Sequence, residues 1–333
     1  MIVDSRPTHA SAAPTPACHN HDAHPTSAPT PEIDAPIMHL ERVTIIGAGP
    51  AGVAAALQLE RFGWKPLLIE RASVGGLLVN AERVENYPGF PCGISGPDFV
   101  RLLQEHLSRA AVAITHDEVV ALTHVAGCFQ VQTRRGQHRS RWVVIASGTK
   151  PITFAENLVP PEARGRICYE VAPLRARRGK DIVVVGAGDA AFDYALTLAQ
   201  HNDVTILNRG ERRKCLPTLW ERASANPRIT YLSRTSITHI TPNADASLSL
   251  ACTTPTGPLD LRVDDLLGAL GREPRLDFVA PELQAALAEH LDSGFLHLIG
   301  DVRNGPFRQA AIAVGEGILA AMKIHDHGKD TLP

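Results

Sequence analysis

The 333-residue sequence predicts an α/β fold built from two copies of one unit, and three features point to it. A short β-branched run, a glycine-rich loop and a helix-patterned run follow one another twice, in "RVTIIGAGPAGVAAALQL" (Arg42 to Leu59) and "DIVVVGAGDAAFDYALTL" (Asp181 to Leu198). Each is followed by a second strand-like run, "PLLIE" ending at Glu70 and "VTILN" ending at Asn208. With 44% hydrophobic and 20% charged residues, the chain has an ordinary globular composition and enough length for two domains.

Residues 1–38 are rich in Pro, Ala, Ser, Thr and His without helical or strand periodicity, which predicts a disordered tail. "CHNHDAH" (Cys18, His19, His21, His24) offers metal-ligand types. A flexible tail loses entropy on closing such a site, so no metal is assigned. A net charge of −2 and the lack of a basic stripe argue against nucleic acid. No apolar run reaches the roughly 20 residues that span a bilayer, and the N-terminus lacks the apolar core of a secretory signal, so a cytoplasmic protein is expected. Six scattered cysteines (18, 92, 128, 168, 215, 252) with no CxxC argue against a disulfide framework or a zinc ribbon.

In the first unit, Val43 to Ile46 is the strand, Gly47, Gly49 and Gly52 follow at GxGxxG spacing, and Pro50 and Ala51 open the helix. The glycines allow a tight turn, close approach of backbone to a pyrophosphate and close helix–strand packing, while the helix start offers free N–H groups and partial positive charge. Glu70, twenty-three residues after Gly47, stands where a carboxylate accepts from an adenosine ribose. In the second unit Gly186, Gly188, Asp189, Ala190 and Ala191 form the loop. The same offset from Gly186 reaches Arg209, after Asn208 and beside Arg212, Arg213 and Lys214. No carboxylate stands there to repel a 2′-phosphate, and guanidinium forks suit one, so the second nucleotide is read as NADPH rather than NADH.

With both loops placed, the chain from His39 to about Ile324 resembles the thioredoxin-reductase-like branch of the two-dinucleotide-domain flavoproteins. "VGGLLVNAERVENYPGFPCGISGPDFV" (Val74 to Val100) is similar to the family's flavin-embracing stretch, with Gly75, Gly76, Leu77, Glu85, Asn86, Pro88 and Gly89 in matching places; Asn86 either contacts the flavin or organises the turn before Pro88. "VVIASGTKP", containing Gly148, resembles the strand and crossover leaving the flavin domain, and "LLGALGREP" the return. "FLHLIGDV", with Asp301, and "FRQAAIAVGEGILAAM", with Arg308, Gln309 and Ala310, resemble the terminal flavin motif. The resemblance implies FAD held by residues 39–149 and 268–333, with an NAD(P)H-binding domain, 150–267, inserted between them. Asp301 then accepts from the ribitol, and a helix starting near Arg308 aims its N–H groups at the flavin. A homodimer and a hinge between the domains are implied as well.

Thioredoxin reductases place a CxxC pair before the second loop; counted back from Gly186, its two positions are Tyr169 and Ala172. A lone Cys168 cannot cycle as an intramolecular disulfide. The central segment, with Asp189 and Asp193, resembles instead the ferredoxin-NADP reductases of this fold, although the chain lacks their long C-terminal extension with its stacking aromatic, and its Arg308-Gln309-Ala310 run is nearer to thioredoxin reductases. The expected activity is electron transfer from NADPH through FAD to an external acceptor, ferredoxin or flavodoxin first, then a small disulfide, quinone or oxygen. No protein group is assigned as general acid or base. The rivals are a disulfide reductase using another thiol, Cys168 or a partner's, and a flavin-binding sensor without turnover.

Overall fold

The computed structural model describes residues 40–329; the tail, with its expected disorder and its Cys18, His19, His21 and His24, lies outside the described residues. The strands and helices run β1 (Leu40–Ile46), α1 (Pro50–Arg61), β2 (Leu67–Glu70), α2 (Gly96–Arg109), β3 (Ile114–His116), β4 (Val119–Val125), β5 (Cys128–Thr133), β6 (Gln137–Ile145) and β7 (Thr149–Pro151). There follow β8 (Ile167–Cys168), β9 (Asp181–Val185), α3 (Asp189–Leu198), β10 (Asp203–Leu207), α4 (Pro217–Ser224), β11 (Ile229–Leu232), β12 (Ser236–Pro242), β13 (Leu248–Thr254), β14 (Gly257–Val263) and β15 (Asp265–Gly268). The chain closes with β16 (Arg272–Pro274), α5 (Pro281–Ala285), α6 (Leu287–Asp292), β17 (Leu296–Leu298) and α7 (Ala310–Gly328).

The first sheet has the order β3-β2-β1-β6-β5-β4, with β17 also paired to β6. Its centre is parallel: β1 pairs in parallel with β2 and with β6, as β17 does with β6. Both faces are covered, so the strands read as continuous apolar runs rather than alternations. Val43 and Ile45 pack on one side with α1 and α7, while Ile46, Ile69, Val143 and Ile145 pack on the other with Phe278, Leu283 and Leu296. Helices α1 and α7 cross so closely that a Cβ at Gly317 would lie 2.2 Å from the carbonyl oxygen of Ala51. Small residues make this contact possible, and it sets both helix N-termini side by side.

The second sheet is parallel, in the order β11-β10-β9-β15-β8, and a three-stranded antiparallel sheet of β12, β13 and β14 lies in the same stretch of chain. Its core gathers Ile182, Val184, Phe192, Ala195 and Ile206. Every strand of this lobe falls in sequence between β7 and β16. Those two strands pair with each other, Lys150 opposite Glu273, as an antiparallel ribbon through which both chain crossings pass.

The last helix begins at Ala310, two residues later than the sequence predicts. Phe307 and Arg308 donate backbone N–H groups to Asn304 and Pro306 in a turn, and Gln309 is extended (φ −131°, ψ 140°), so the helical repeat starts after it. Helix α3 ends at Leu198, where the helix-patterned run of the second unit ends.

Candidate two-nucleotide site

A cavity of about 740 Å³ opens where β1, β2 and β6 end, as expected for strand carboxyl ends in a parallel sheet. At its centre the first glycine loop turns. Gly47 has φ +103°, and a side chain there would strike the Ala146 carbonyl oxygen at 2.5 Å. Gly52 does not line the cavity but packs against it from behind; its Cβ would fall 1.9 Å from the Gly47 oxygen. Gly49 faces open space and leads into α1, whose N-terminus has Pro50 in its first turn and no side-chain cap, so its N–H groups point into the cavity unmet.

Glu70 is 8% exposed at the end of β2, and its carboxylate accepts from Ala48 N (2.7 Å) and Ala72 N (2.8 Å). Two backbone donors hold it rigidly while its remaining lone pairs face the cavity, which suits a ribose diol. Across the cavity Asp301 sits in the turn after β17, half-buried, with no protein hydrogen bond among the described residues. Burial pushes its carboxyl above the usual range against the opposing pull of Arg308 and Arg272. Glu316 on α7 fixes that turn by accepting from Gly300 N (2.6 Å) and Asn304 Nδ2 (2.9 Å). The N-terminus of α7 lines the cavity through Gln309, Ala310 and Ala313, again without a side-chain cap.

Of the other expected residues, Pro50, Ala51, Gly76, Leu77, Gly148 and Arg308 line the same cavity. Gly75 stands just outside it, at φ +91° against Val100. Asn86 is exposed and donates to Gln309 Oε1 (2.5 Å), so it reaches the cavity only through Gln309. Asn80, Glu170, Arg272 and Arg275 also line the cavity, and the sequence reading did not single them out. The Nε atoms of Arg275 and Arg308 are buried without a partner. Unmet N–H groups at two helix starts, orphaned guanidinium donors and a buried acceptor pair fit a dinucleotide with a pyrophosphate and polyol hydroxyls, and thus FAD.

The second loop lies in the other lobe. Gly186, at φ +154°, would drive a Cβ to within 2.5 Å of the Ala269 oxygen, and Gly188 faces open space at the uncapped start of α3. The basic stretch is fastened to this loop at two points: Lys214 N donates to Ala187 O (2.7 Å) and Leu216 N to Asp189 Oδ1 (2.7 Å). Ala190 is exposed on the first turn. The Asn208 side chain is buried and committed to its own loop, accepting from Gly210 N (2.9 Å) and donating to Tyr231 Oη (2.8 Å). It therefore shapes the site rather than facing a ligand. Arg209, Arg212 and Lys214 are exposed and form no ion pair among the described residues, while Arg213 stacks 4.4 Å above the Trp220 ring. Unpaired cations tied to a phosphate-binding loop suit a 2′-phosphate.

Cys168 lies on β8, half-buried, and does not line the cavity. Burial, aided by the Asp265 carboxylate, pushes its thiol above the usual range, the opposite of what activates a nucleophilic cysteine. Among the described residues no three metal-ligating side chains gather, and no helix is long and apolar enough to cross a membrane.

The sequence profile of the pyridine nucleotide-disulphide oxidoreductase family matches residues 41–317. The thioredoxin reductase of Mycolicibacterium smegmatis is 30% identical over 301 residues, covering 84% of this chain and 94% of its own, and that of Bacillus subtilis is 27% identical over 300 residues, covering 86% and 94%. The solved thioredoxin reductase of Lactococcus lactis superposes with a TM-score of 0.77 at 26% identity, over 87% of this chain and 99% of that one. Proteins of this kind use FAD and NADPH, the two cofactors that the two loops fit. On the profile match, the relatives and the two-lobed fold together, the chain belongs to the pyridine nucleotide-disulphide oxidoreductase family, as a thioredoxin-reductase-like flavoprotein.

Proposed function

We propose that this chain carries electrons from NADPH through FAD to an external acceptor without an intramolecular dithiol, and that the acceptor is a small electron-transfer protein, ferredoxin or flavodoxin. The observation that carries this reading is the chemistry of the segment before the second loop. Tyr169 and Ala172 stand at the two family cysteine positions, and the neighbouring thiol of Cys168, which burial pushes above its usual range, does not line the cavity. When bound, FAD supplies hydride acceptance and onward release of electrons. The chain supplies the rest: Glu70 and Asp301 orient hydroxyls, the α1 and α7 N-termini face anionic groups, and Arg209, Arg212 and Lys214 select the phosphorylated nucleotide. We place it in the cytoplasm, working as a homodimer.

Anaerobic mixing with NADPH is expected to bleach the flavin absorbance, and a persistent oxidised spectrum rejects the donor. The reduced protein is then offered ferredoxin, flavodoxin, low-molecular-weight disulfides and quinone in parallel. Preferential oxidation by the iron–sulfur or flavin protein supports the acceptor assignment. A second reading, reduction of a disulfide on a partner, has the names of the 30%-identical relatives in its favour; faster oxidation by thioredoxin or a small disulfide establishes it instead. Cys168→Ser is expected to leave turnover unchanged under either reading, and its loss would assign the thiol a role.

A further inference from the structure

The second glycine loop carries a feature that nucleotide binding alone does not ask for. Helix α3 opens on Asp189, with no side-chain cap at Gly188. A carboxylate in a first turn suits the helix dipole, but it repels the phosphates that the same N–H groups are placed to meet. In the structure this carboxylate has another partner. Asp189 Oδ1 accepts from the backbone N–H of Leu216 at 2.7 Å, twenty-seven residues further along the chain.

Leu216 ends the segment 208–216, which joins β10 to α4 without regular structure and contains Arg209, Arg212, Arg213 and Lys214. Its first half is braced from the sheet. Asn208 N donates to Leu232 O (2.9 Å), Arg234 N donates to Gly210 O (2.9 Å), and Asn208 Nδ2 donates to Arg212 O (3.2 Å). The second half, 213–216, has two hydrogen bonds to residues outside the segment and α4, among the described residues, and both go to the glycine loop: Lys214 N to Ala187 O (2.7 Å) and Leu216 N to Asp189 Oδ1. Asp189 supplies the one side chain of the two. Packing does not replace it, because the Leu216 side chain is 56% exposed. Four cations within six residues repel one another and favour a spread-out segment. A cation that is already held in place loses less freedom when an anion binds, so a tie at this point favours phosphate binding even though its own charge opposes it.

We propose that Asp189 is a positioning residue for nucleotide selection: by holding the Leu216 N–H it keeps Arg212 and Lys214 gathered beside the glycine loop, where they discriminate for a 2′-phosphate. This rests on the reading of Arg209, Arg212 and Lys214 as the selectors of the phosphorylated nucleotide. The test titrates the FAD-bound protein with NADP⁺ and NAD⁺, which bind without reducing the flavin, and takes the ratio of the NAD⁺ to the NADP⁺ dissociation constant as the preference. Asp189→Ala is expected to lower that preference by about fivefold or more. Asp189→Asn keeps an acceptor oxygen without the charge and is expected to restore it. Leu216→Pro removes the donor instead, at a residue whose φ of −56° and ψ of 144° already suit proline, and is expected to reproduce Asp189→Ala. It also carries the test where Asp189→Ala does not fold. The proposal is overturned by an unchanged preference in Asp189→Ala, by a loss of affinity shared equally by both nucleotides, by an Asp189→Asn variant as impaired as Asp189→Ala, or by full preference in Leu216→Pro. The double variant Arg209→Ala with Arg212→Ala is measured alongside. If it keeps the preference of the unaltered protein, the reading of the basic loop fails on its own account. Amide exchange at Lys214, which Asp189 does not touch, then decides the tie: it is expected to quicken by about fivefold or more in Asp189→Ala, and unchanged exchange overturns the proposal.

Discussion

Glu70 shows how one residue serves both fold and site. Its two backbone donors brace the first glycine loop, and the same carboxylate faces the cavity. Glu70→Ala removes charge-assisted bonds, each of about 1.5–3 kcal/mol, so FAD affinity is expected to fall by about 10-fold or more, read as pale protein after purification and as a raised dissociation constant on titration. Asp193 is the opposite case. Burial raises its carboxyl to about 6, with Glu82 and Asp189 adding in the same direction and the Glu82 N–H and Arg175 opposing. A carboxyl raised in the folded state contributes stability that is fully present below its unfolded value near 4 and lost as pH rises through about 6. Asp193→Asn is therefore expected to stabilise the protein by about 1–2 kcal/mol at pH 8 and not at pH 4, measured as denaturation midpoints at the two pH values. Equal effects at both would show that the carboxylate is solvated there.

At the scale of elements, the contact of α1 with α7 governs cofactor geometry, because both helix N-termini line one cavity. Gly317→Val would place methyl groups against the Ala51 backbone and the Ala54 side chain. A cost of about 1–3 kcal/mol is expected, with a loss of FAD affinity that exceeds the loss of stability, since the helices must separate where the ligand sits. Calorimetry with and without FAD compares the two losses; full FAD affinity in a destabilised variant would uncouple them. The basic loop is the element that the second site depends on. Arg209→Ala with Arg212→Ala is expected to weaken NADPH binding by 10-fold or more and to leave NADH nearly unaffected, because only the first nucleotide offers a 2′-phosphate to the guanidinium forks. Dissociation constants for both nucleotides check it.

In the whole molecule, each lobe has its own buried cluster, one set around β1 and β6 and the other around β9 and β10, and the covalent connection is one ribbon. Ligands stabilise the unit that binds them. Excess FAD is expected to raise one thermal transition and excess NADP⁺ another, and a single transition shifted equally by either would show that the lobes unfold as one unit.

Much of this was legible in the residues taken in order. The two strand–loop–helix units were readable because a tight turn beside a phosphate demands glycine at fixed spacing, and continuous β-branched runs announce strands buried on both faces. Glu70 was read from its offset after the first loop, whereas Asp301 and the absence of a dithiol at Tyr169 and Ala172 were read from the resemblance of their segments to the family. The places of Asn80, Glu170, Arg272 and Glu316 were hidden, since Asn80 donates to Glu170 from ninety positions away and nothing local marks a residue whose partner comes from another lobe. The resemblance set the start of α7 near Arg308, whereas the turn at Asn304–Pro306 and an extended Gln309 delay the helix to Ala310. Sequence alone determined that the chain carries two dinucleotide-binding loops, because those depend on periodicity and spacing within short stretches, and the motifs shared with the family added the flavin. Only the tertiary structure decided which polar groups meet across the lobes, because those meetings depend on the docking of surfaces that no short stretch contains.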